Sequence, residues 1–191
     1  MTDDFGASLL GATADAAGVD VCICSFRRPE IVATLRALSQ QIGVGPFRVV
    51  VADNTPAGEM RDIVVRAANE FQLRVTYVHA PANNISIARN ACLDAARAPW
   101  IAFLDDDELP TPNWLSALLQ EVQRGNWDAV LGPVKAVYPE HAPTWASRGD
   151  FHSSAPVWVR GRIRTAYTGN VLFRRQLVEE AGLRFRIELG K

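Results

Sequence analysis

The stretch WIAFLDDDELPTPNWLSALLQEVQRG, Trp100–Gly125, starts as an apolar strand, empties into three aspartates and resumes as a helix. Thr111 is placed to cap that helix, Pro112 to open it and Gly125 to follow its end. The aspartates lie too far upstream to serve as caps. Two carboxylates ~5 Å apart at an effective dielectric of ~20 repel by roughly 3 kcal/mol, and full solvation lowers this below ~1 kcal/mol. So either the loop at Asp105, Asp106 and Asp107 is well hydrated or positive charge belongs beside it. Carboxylates two apart on a turn can also converge on one hard cation, with Mg²⁺ or Mn²⁺ the expected kind.

Working outward, the same strand-then-helix unit recurs. VDVCICS (19–25), FRVVVAD (47–53) and LRVTYVHA (73–80) are short, β-branched and apolar. Between them, EIVATLRALSQQI repeats Ile31, Leu35, Leu38 and Ile42 at helical spacing. GEMRDIVVRAANEF does the same with Met60, Ile63, Val64, Ala67 and Phe71. ISIARNACLDAAR is a helix whose small residues, Ala88, Ala91, Cys92 and Ala95, allow close approach to a sheet. The alternation predicts an α/β fold with a mainly parallel sheet and helices on both faces. DAVLGPVKAVY and AYTGNVLFRR read as further strands, RQLVEEAG as a short helix, and 138–165 as irregular.

The chain has 191 residues, a formal net charge of −1 and 48% hydrophobic residues, which fits one globular domain. That balance argues against a general nucleic-acid-binding or membrane-surface field. No apolar run approaches the ~20 residues of a membrane span. Residues 1–18, rich in Ala, Gly and Asp, read as a loosely held lead-in without a secretory signal. Cys22, Cys24 and Cys92 lack metal-like spacing and read as buried thiols in a reducing compartment.

Open parallel sheets bind ligands beyond the carboxyl ends of their strands. Those ends read Ser25-Phe26-Arg27-Arg28, then Asp53-Asn54, then Asn83-Asn84 with Arg89 a turn later, then Asp105–Glu108. Asp53 is either a turn residue or an acceptor for a ribose hydroxyl or base N–H. Arg27 and Arg28 are either surface charges or contacts to phosphate or base. Arg89, among small apolar neighbours, needs an edge or a partner. Trp145, Phe151 and Trp158 either stack on sugar faces or pack a long loop.

In this order, VCICSFRRP, VVVADN, NNISIARNACLDAA, WIAFLDDDELPTPNWL and TGNVLFRR resemble the family 2 glycosyltransferases of the GT-A fold, notably the bacterial exopolysaccharide enzymes of succinoglycan type. The resemblance runs from about Val19 to the C-terminus and so identifies 19–191 as the GT-A domain. It implies a nucleotide-sugar donor, specifically a UDP-sugar, and a divalent metal, Mn²⁺ or Mg²⁺. It implies that Ser25, Phe26 and Arg28 line the nucleoside pocket, that Asp53 accepts from uracil or ribose, and that Arg89 reaches the base or diphosphate. Asp105 and Asp107 form the D-x-D pair on the metal, Asp106 is an alternative partner, and Asn170 lies near sugar or acceptor. The implied reaction is an inverting transfer to a growing polysaccharide or lipid-linked saccharide, in the cytoplasm or at the cytoplasmic face of the inner membrane, with peripheral membrane association. The family's catalytic base, in an acidic motif after the segment like GLRFRIELGK, is expected beyond Lys191, leaving the acceptor part incomplete. The alternatives are a catalytically incomplete nucleotide-sugar-binding fragment and a sugar nucleotidyltransferase; the glycine-rich first loop expected of the latter is missing.

Overall fold

The computed structural model describes residues 2–5, 18–160 and 162–190. Strands are β1 Thr2–Phe5, β2 Val19–Ser25, β3 Phe47–Asp53, β4 Val75–His79, β5 Trp100–Leu104, β6 Ala129–Leu131, β7 Val157–Val159, β8 Arg162–Thr165 and β9 Asn170–Arg174. Helices are α1 Ile31–Ser39, α2 Arg61–Glu70, α3 Ile85–Ala95, α4 Trp114–Gly125, α5 Thr144–Gly149 and α6 Arg175–Ala181, followed by a 3₁₀ turn at Ile187–Leu189.

Seven strands form one sheet in the order β1-β4-β3-β2-β5-β9-β6, and β7 and β8 form a separate hairpin. The central β4, β3, β2 and β5 are parallel, whereas β1, β9 and β6 each pair antiparallel to a neighbour. Five of the seven strands therefore run one way, as the alternating sequence predicts. The chain lays down β3 and β4 on one side of β2, then crosses to place β5 on the other. The strand order thus reverses at β2, and a crevice opens beyond the carboxyl ends of β2 and β5.

Period-two alternation sorts the core. Val21, Ile23, Val49, Val51, Ala102 and Leu104 face α1, α2 and α4, while Cys22, Val50, Ala52, Ile101 and Phe103 face α3 and α6. On α1, Ile31, Leu35 and Leu38 are fully buried; truncating any of them to alanine costs about 2–5 kcal/mol. On α3, Ala88, Cys92 and Ala95 are buried against the sheet, as their small size predicts. All three cysteines are free, with Cys22 and Cys92 buried and Cys24 half-buried.

Several sequence expectations shift. α4 starts at Trp114, not at Pro112. Residues 111–113 form a turn in which the Trp114 N–H donates to the Thr111 carbonyl, and Asn113 at the cap position makes no side-chain cap bond. Gly125 is the last helical residue, and Asn126 takes the left-handed cap at φ 49°, a conformation Asn tolerates. Ile42 falls beyond α1 and is exposed. DAVLGPVKAVY keeps only Ala129–Leu131 as strand, because Gly132 and Pro133 interrupt the ladder. Within 138–165, expected to be irregular, lie α5 and the β7–β8 hairpin. The expected lead-in mostly falls outside the described residues, but Thr2–Phe5 adds an edge strand that the sequence reading did not foresee.

Asp20, on β2, is one of the wholly buried polar residues. Its carboxylate accepts two 2.8 Å bonds from Arg48 of β3, and further bonds from the Arg97 and Ala98 backbone N–H groups ahead of β5. Asp20→Ala is expected to lower the unfolding free energy by about 3–5 kcal/mol, since it strands a nearly buried guanidinium and two N–H groups. The urea midpoint measures this, and a loss under ~1 kcal/mol would contradict the assignment.

Candidate functional site

The crevice at the strand-order reversal is an open cleft of about 450 Å³, within the range of small-ligand sites. The end of β2 contributes Cys24, Ser25, Phe26 and Arg28; β3 contributes Asn54; the start of α3 brings Asn83, Asn84, Ile85 and Arg89. The end of β5 contributes Asp105, Asp106 and Asp107, and Gly190 closes one side. Ser25, Phe26, Arg28, Arg89 and the three aspartates are therefore brought together as the sequence predicts.

Two predicted residues are not. Asp53 has no exposed surface. Its Oδ1 accepts from the Thr55 N–H at 2.8 Å, and its Oδ2 accepts from the Met60 N–H at 3.0 Å and the Tyr77 hydroxyl at 2.6 Å. It ties the loop after β3 to α2 and β4 and is not among the residues lining the cleft. Asn170 is likewise spent: its Oδ1 accepts from the Trp114 indole at 2.9 Å and its amide donates to the Pro133 carbonyl at 2.8 Å. Trp145, Phe151 and Trp158 do not line the cleft.

The cleft carries its own charge balance. Arg28 forms an ion pair with Asp107 and lies 3.9 Å from Asp106. Arg89 sits 3.9 Å from Asp105, with its guanidinium 5.4 Å from the centre of the Phe185 ring. Asp107 foremost holds the Arg28 pKa above its ordinary value. Burial, the largest cause, pushes both Asp105 and Asp106 up, opposed by Arg89 and Arg28 respectively among the nearby cations. The Ser25 hydroxyl is buried at the cleft wall and lies against the Asp106 carboxylate, where it opposes the rise that burial imposes on that group.

Sequence reasoning assigned no role to Glu108, Asn54 or Asn84. Burial first, then Asp105, raises the Glu108 pKa to about 7. Gly169 is packed so tightly here that a Cβ would lie 2.5 Å from the Glu108 carboxylate and 2.8 Å from that of Asp105. Asn54 and Asn84 are reciprocally bonded: the Asn54 amide donates to the Asn84 carbonyl at 2.7 Å and its oxygen accepts from the Asn84 N–H at 2.9 Å. Only the run of amides at successive strand ends hinted at this. As metal ligands, Asp105 and Asp107 offer hard oxygens, which suits Mg²⁺ or Mn²⁺. Among the described residues no group of three or more His, Cys, Asp or Glu is arranged to hold a metal. A cation here would thus draw its remaining ligands from water or a bound diphosphate.

Glu108 binds its proton more tightly folded than unfolded, so it favours the native state below about pH 4.5 and that contribution is lost as pH rises through about 7. Without divalent cation, Glu108→Gln is expected to flatten this decline and to unfold at a higher temperature than wild type at pH 8; a lower one would refute the burial. Asp53→Ala is expected to cost about 3 kcal/mol by orphaning buried donors, yet to leave the ligand affinity of the folded fraction unchanged.

The glycosyl transferase family 2 model matches residues 20–182. The chain is 45% identical over 175 residues to the succinoglycan biosynthesis protein ExoM of Rhizobium meliloti (strain 1021), covering 91% of this chain and 57% of that protein. It is 30% identical over 127 residues to the hyaluronan synthase of Pasteurella multocida, covering 65% of this chain and 13% of the synthase. The structure matches that of S. aureus TarS 1-349 in complex with UDP at a TM-score of 0.71 and 21% identity, over 91% of this chain and 51% of the other. It also matches a mannosyltransferase from Pyrobaculum calidifontis in complex with GDP-Man and Mn²⁺, at 0.61 and 20% identity, over 86% and 46%. The chain spans little more than half the length of the succinoglycan protein. With the family model covering most of its length and the sheet order observed here, the chain belongs to glycosyltransferase family 2 and has the GT-A fold.

Proposed function

We propose that this chain is the donor-binding part of a glycosyltransferase that moves a sugar, with inversion, from a UDP-sugar to a growing polysaccharide or lipid-linked saccharide. The observation that carries the reading is the cleft at the β2–β5 reversal, where Arg28 and Arg89 interleave with Asp105, Asp106 and Asp107 beside the buried Ser25 hydroxyl. Two neighbouring structures support it, each determined with a nucleotide or nucleotide sugar. So does the name of the succinoglycan relative, for the acceptor class.

A nucleoside diphosphate is what such a cleft accommodates. Phe26 and the amides of Asn54 and Asn84 border the space for a base, while Arg28 and Arg89 are placed to take up negative charge as the diphosphate departs. A divalent cation on Asp105 and Asp107 supplies further positive charge against that leaving group. In-line attack by an acceptor hydroxyl inverts the anomeric centre, and the proton of that hydroxyl goes to a base to which no residue here is assigned. We propose that the reaction takes place in the cytoplasm or at the cytoplasmic face of the inner membrane. Among the described residues, no helix is long and apolar enough to cross a membrane.

At a hundred times its Kd, a UDP-sugar with Mn²⁺ is expected to raise the melting temperature by about 5–10 °C. Asp105→Ala combined with Asp107→Ala is expected to abolish the shift. If no nucleotide sugar produces one, the donor site is wrong. A shift without transfer or donor hydrolysis across an acceptor panel identifies a chain that binds but does not turn over.

A further inference from the structure

Helix α1 buries four residues, and three of them, Ile31, Leu35 and Leu38, are aliphatic. The fourth is Thr34, which has no exposed surface. A buried hydroxyl costs free energy unless it is bonded, so its partner matters. A helical threonine ordinarily returns its hydroxyl to a carbonyl one turn back. Here it donates at 2.9 Å to the Asp106 carbonyl, 72 residues along the chain. A second bracket follows at the far end of the helix. The Gln41 side-chain amide donates to the Thr111 carbonyl at 2.8 Å and its oxygen accepts from the Leu115 N–H at 3.0 Å. The Ile42 N–H donates to the Pro112 carbonyl at 2.8 Å. The acidic loop is therefore slung between two points of one helix packed on the sheet.

The bond at Asp106 decides which carboxylates face the cleft. Asp106 is held at both ends, its carbonyl by Thr34 and its carboxylate against the Ser25 hydroxyl. Its side chain is 9% exposed, against 50% for Asp105 and 49% for Asp107. With the middle residue turned into the wall, its two neighbours share the open side. That arrangement suits a hard cation, which takes oxygens from both and completes its shell with water or phosphate. Like charges so placed repel, and a free loop would relieve this by splaying. A backbone fixed in advance meets that cost on folding rather than on binding.

We infer that Thr34 is a positioning residue for the cation of the donor complex, with Gln41 as its second support. It fixes the loop so that Asp105 and Asp107 are offered together and Asp106 is withheld. Neither Thr34 nor Gln41 lines the cleft, so both act through the backbone of the loop. The cation's place on the loop rests on the donor reading; the bracket rests on the bonds made by α1.

Thr34→Val removes the hydroxyl at nearly constant shape, and Thr34→Ser keeps it. The test is calorimetric titration of wild type and both variants with UDP, once with Mn²⁺ and once with EDTA. With Mn²⁺, Thr34→Val is expected to bind about ten-fold more weakly than wild type, and Thr34→Ser within about two-fold of it, as the loss or retention of one buried hydrogen bond implies. With EDTA the three are expected to match. The inference is overturned if Thr34→Val keeps wild-type affinity with Mn²⁺, or loses as much in EDTA. Hydrogen exchange gives a second arm that needs no ligand. The Glu108 N–H, bonded to the Asp105 carbonyl at 3.2 Å, is expected to exchange faster in Thr34→Val and at the wild-type rate in Thr34→Ser. Equal rates in all three overturn the bracket. Should Thr34→Val not fold, Gln41→Met takes its place in both arms, with the same expected signs. If wild type binds no UDP with or without Mn²⁺, the donor reading falls and the exchange arm alone decides the bracket.

Discussion

The Asp20–Arg48 pair sets the frame on which everything else is built. It lies at the amino ends of β2 and β3, away from the cleft, and the same carboxylate holds the two N–H groups ahead of β5. Three strands that are far apart in sequence are thereby started in step. Because strands rise ~3.3 Å per residue, a one-residue slip at this end would carry Ser25 or Asp105 most of a strand-width from its partners at the other. A buried charge pair is a poor way to add stability, since desolvation offsets most of the attraction. Its use here is to fix register: no hydrophobic pair would make slippage so costly.

The three-aspartate loop raised a problem of repulsion, and the chain answers it from two directions. Arg28 arrives from the loop after β2 and Arg89 from the second turn of α3. Neither is near the loop in sequence. The cleft is thus close to charge balance without a ligand, and incoming phosphate and cation would exchange partners with groups already paired. Such an exchange costs less desolvation than neutralising a bare cluster.

The sheet was legible because its signals are local. VDVCICS and FRVVVAD are strands residue for residue, since a β-branched apolar run has little choice between two covered faces. The cleft aspartates and arginines were legible because strand ends in such a sheet converge. Asp53 and Asn170 lie off the cleft lining for the opposite reason. Whether a strand-end carboxylate or amide faces a ligand depends on what else reaches it, and Tyr77 and Trp114 come from distant elements. Glu108 escaped notice because its altered acidity comes from burial beneath Gly169, which no spacing rule encodes. The hairpin was invisible because its two short strands lack a clean alternation of apolar and polar residues.

Asn84 gathers more than its share of bonds. Its Oδ1 caps α3 at the Ser86 and Ile87 N–H groups, its side-chain amide donates to the Ile187 carbonyl, and its backbone is paired with Asn54. Asn90 adds a second two-way tie to Phe185, and the Ile85 N–H donates to the Gly190 carbonyl. The loop after β3, the first turn of α3 and the segment 185–190 therefore behave as one hinge leaf rather than three loops. A force applied to the chain at residue 190 would be felt at Asn54 on the cleft floor before it reached any core side chain. A pull on that segment is therefore transmitted to the Asn54 and Asn84 wall of the cleft.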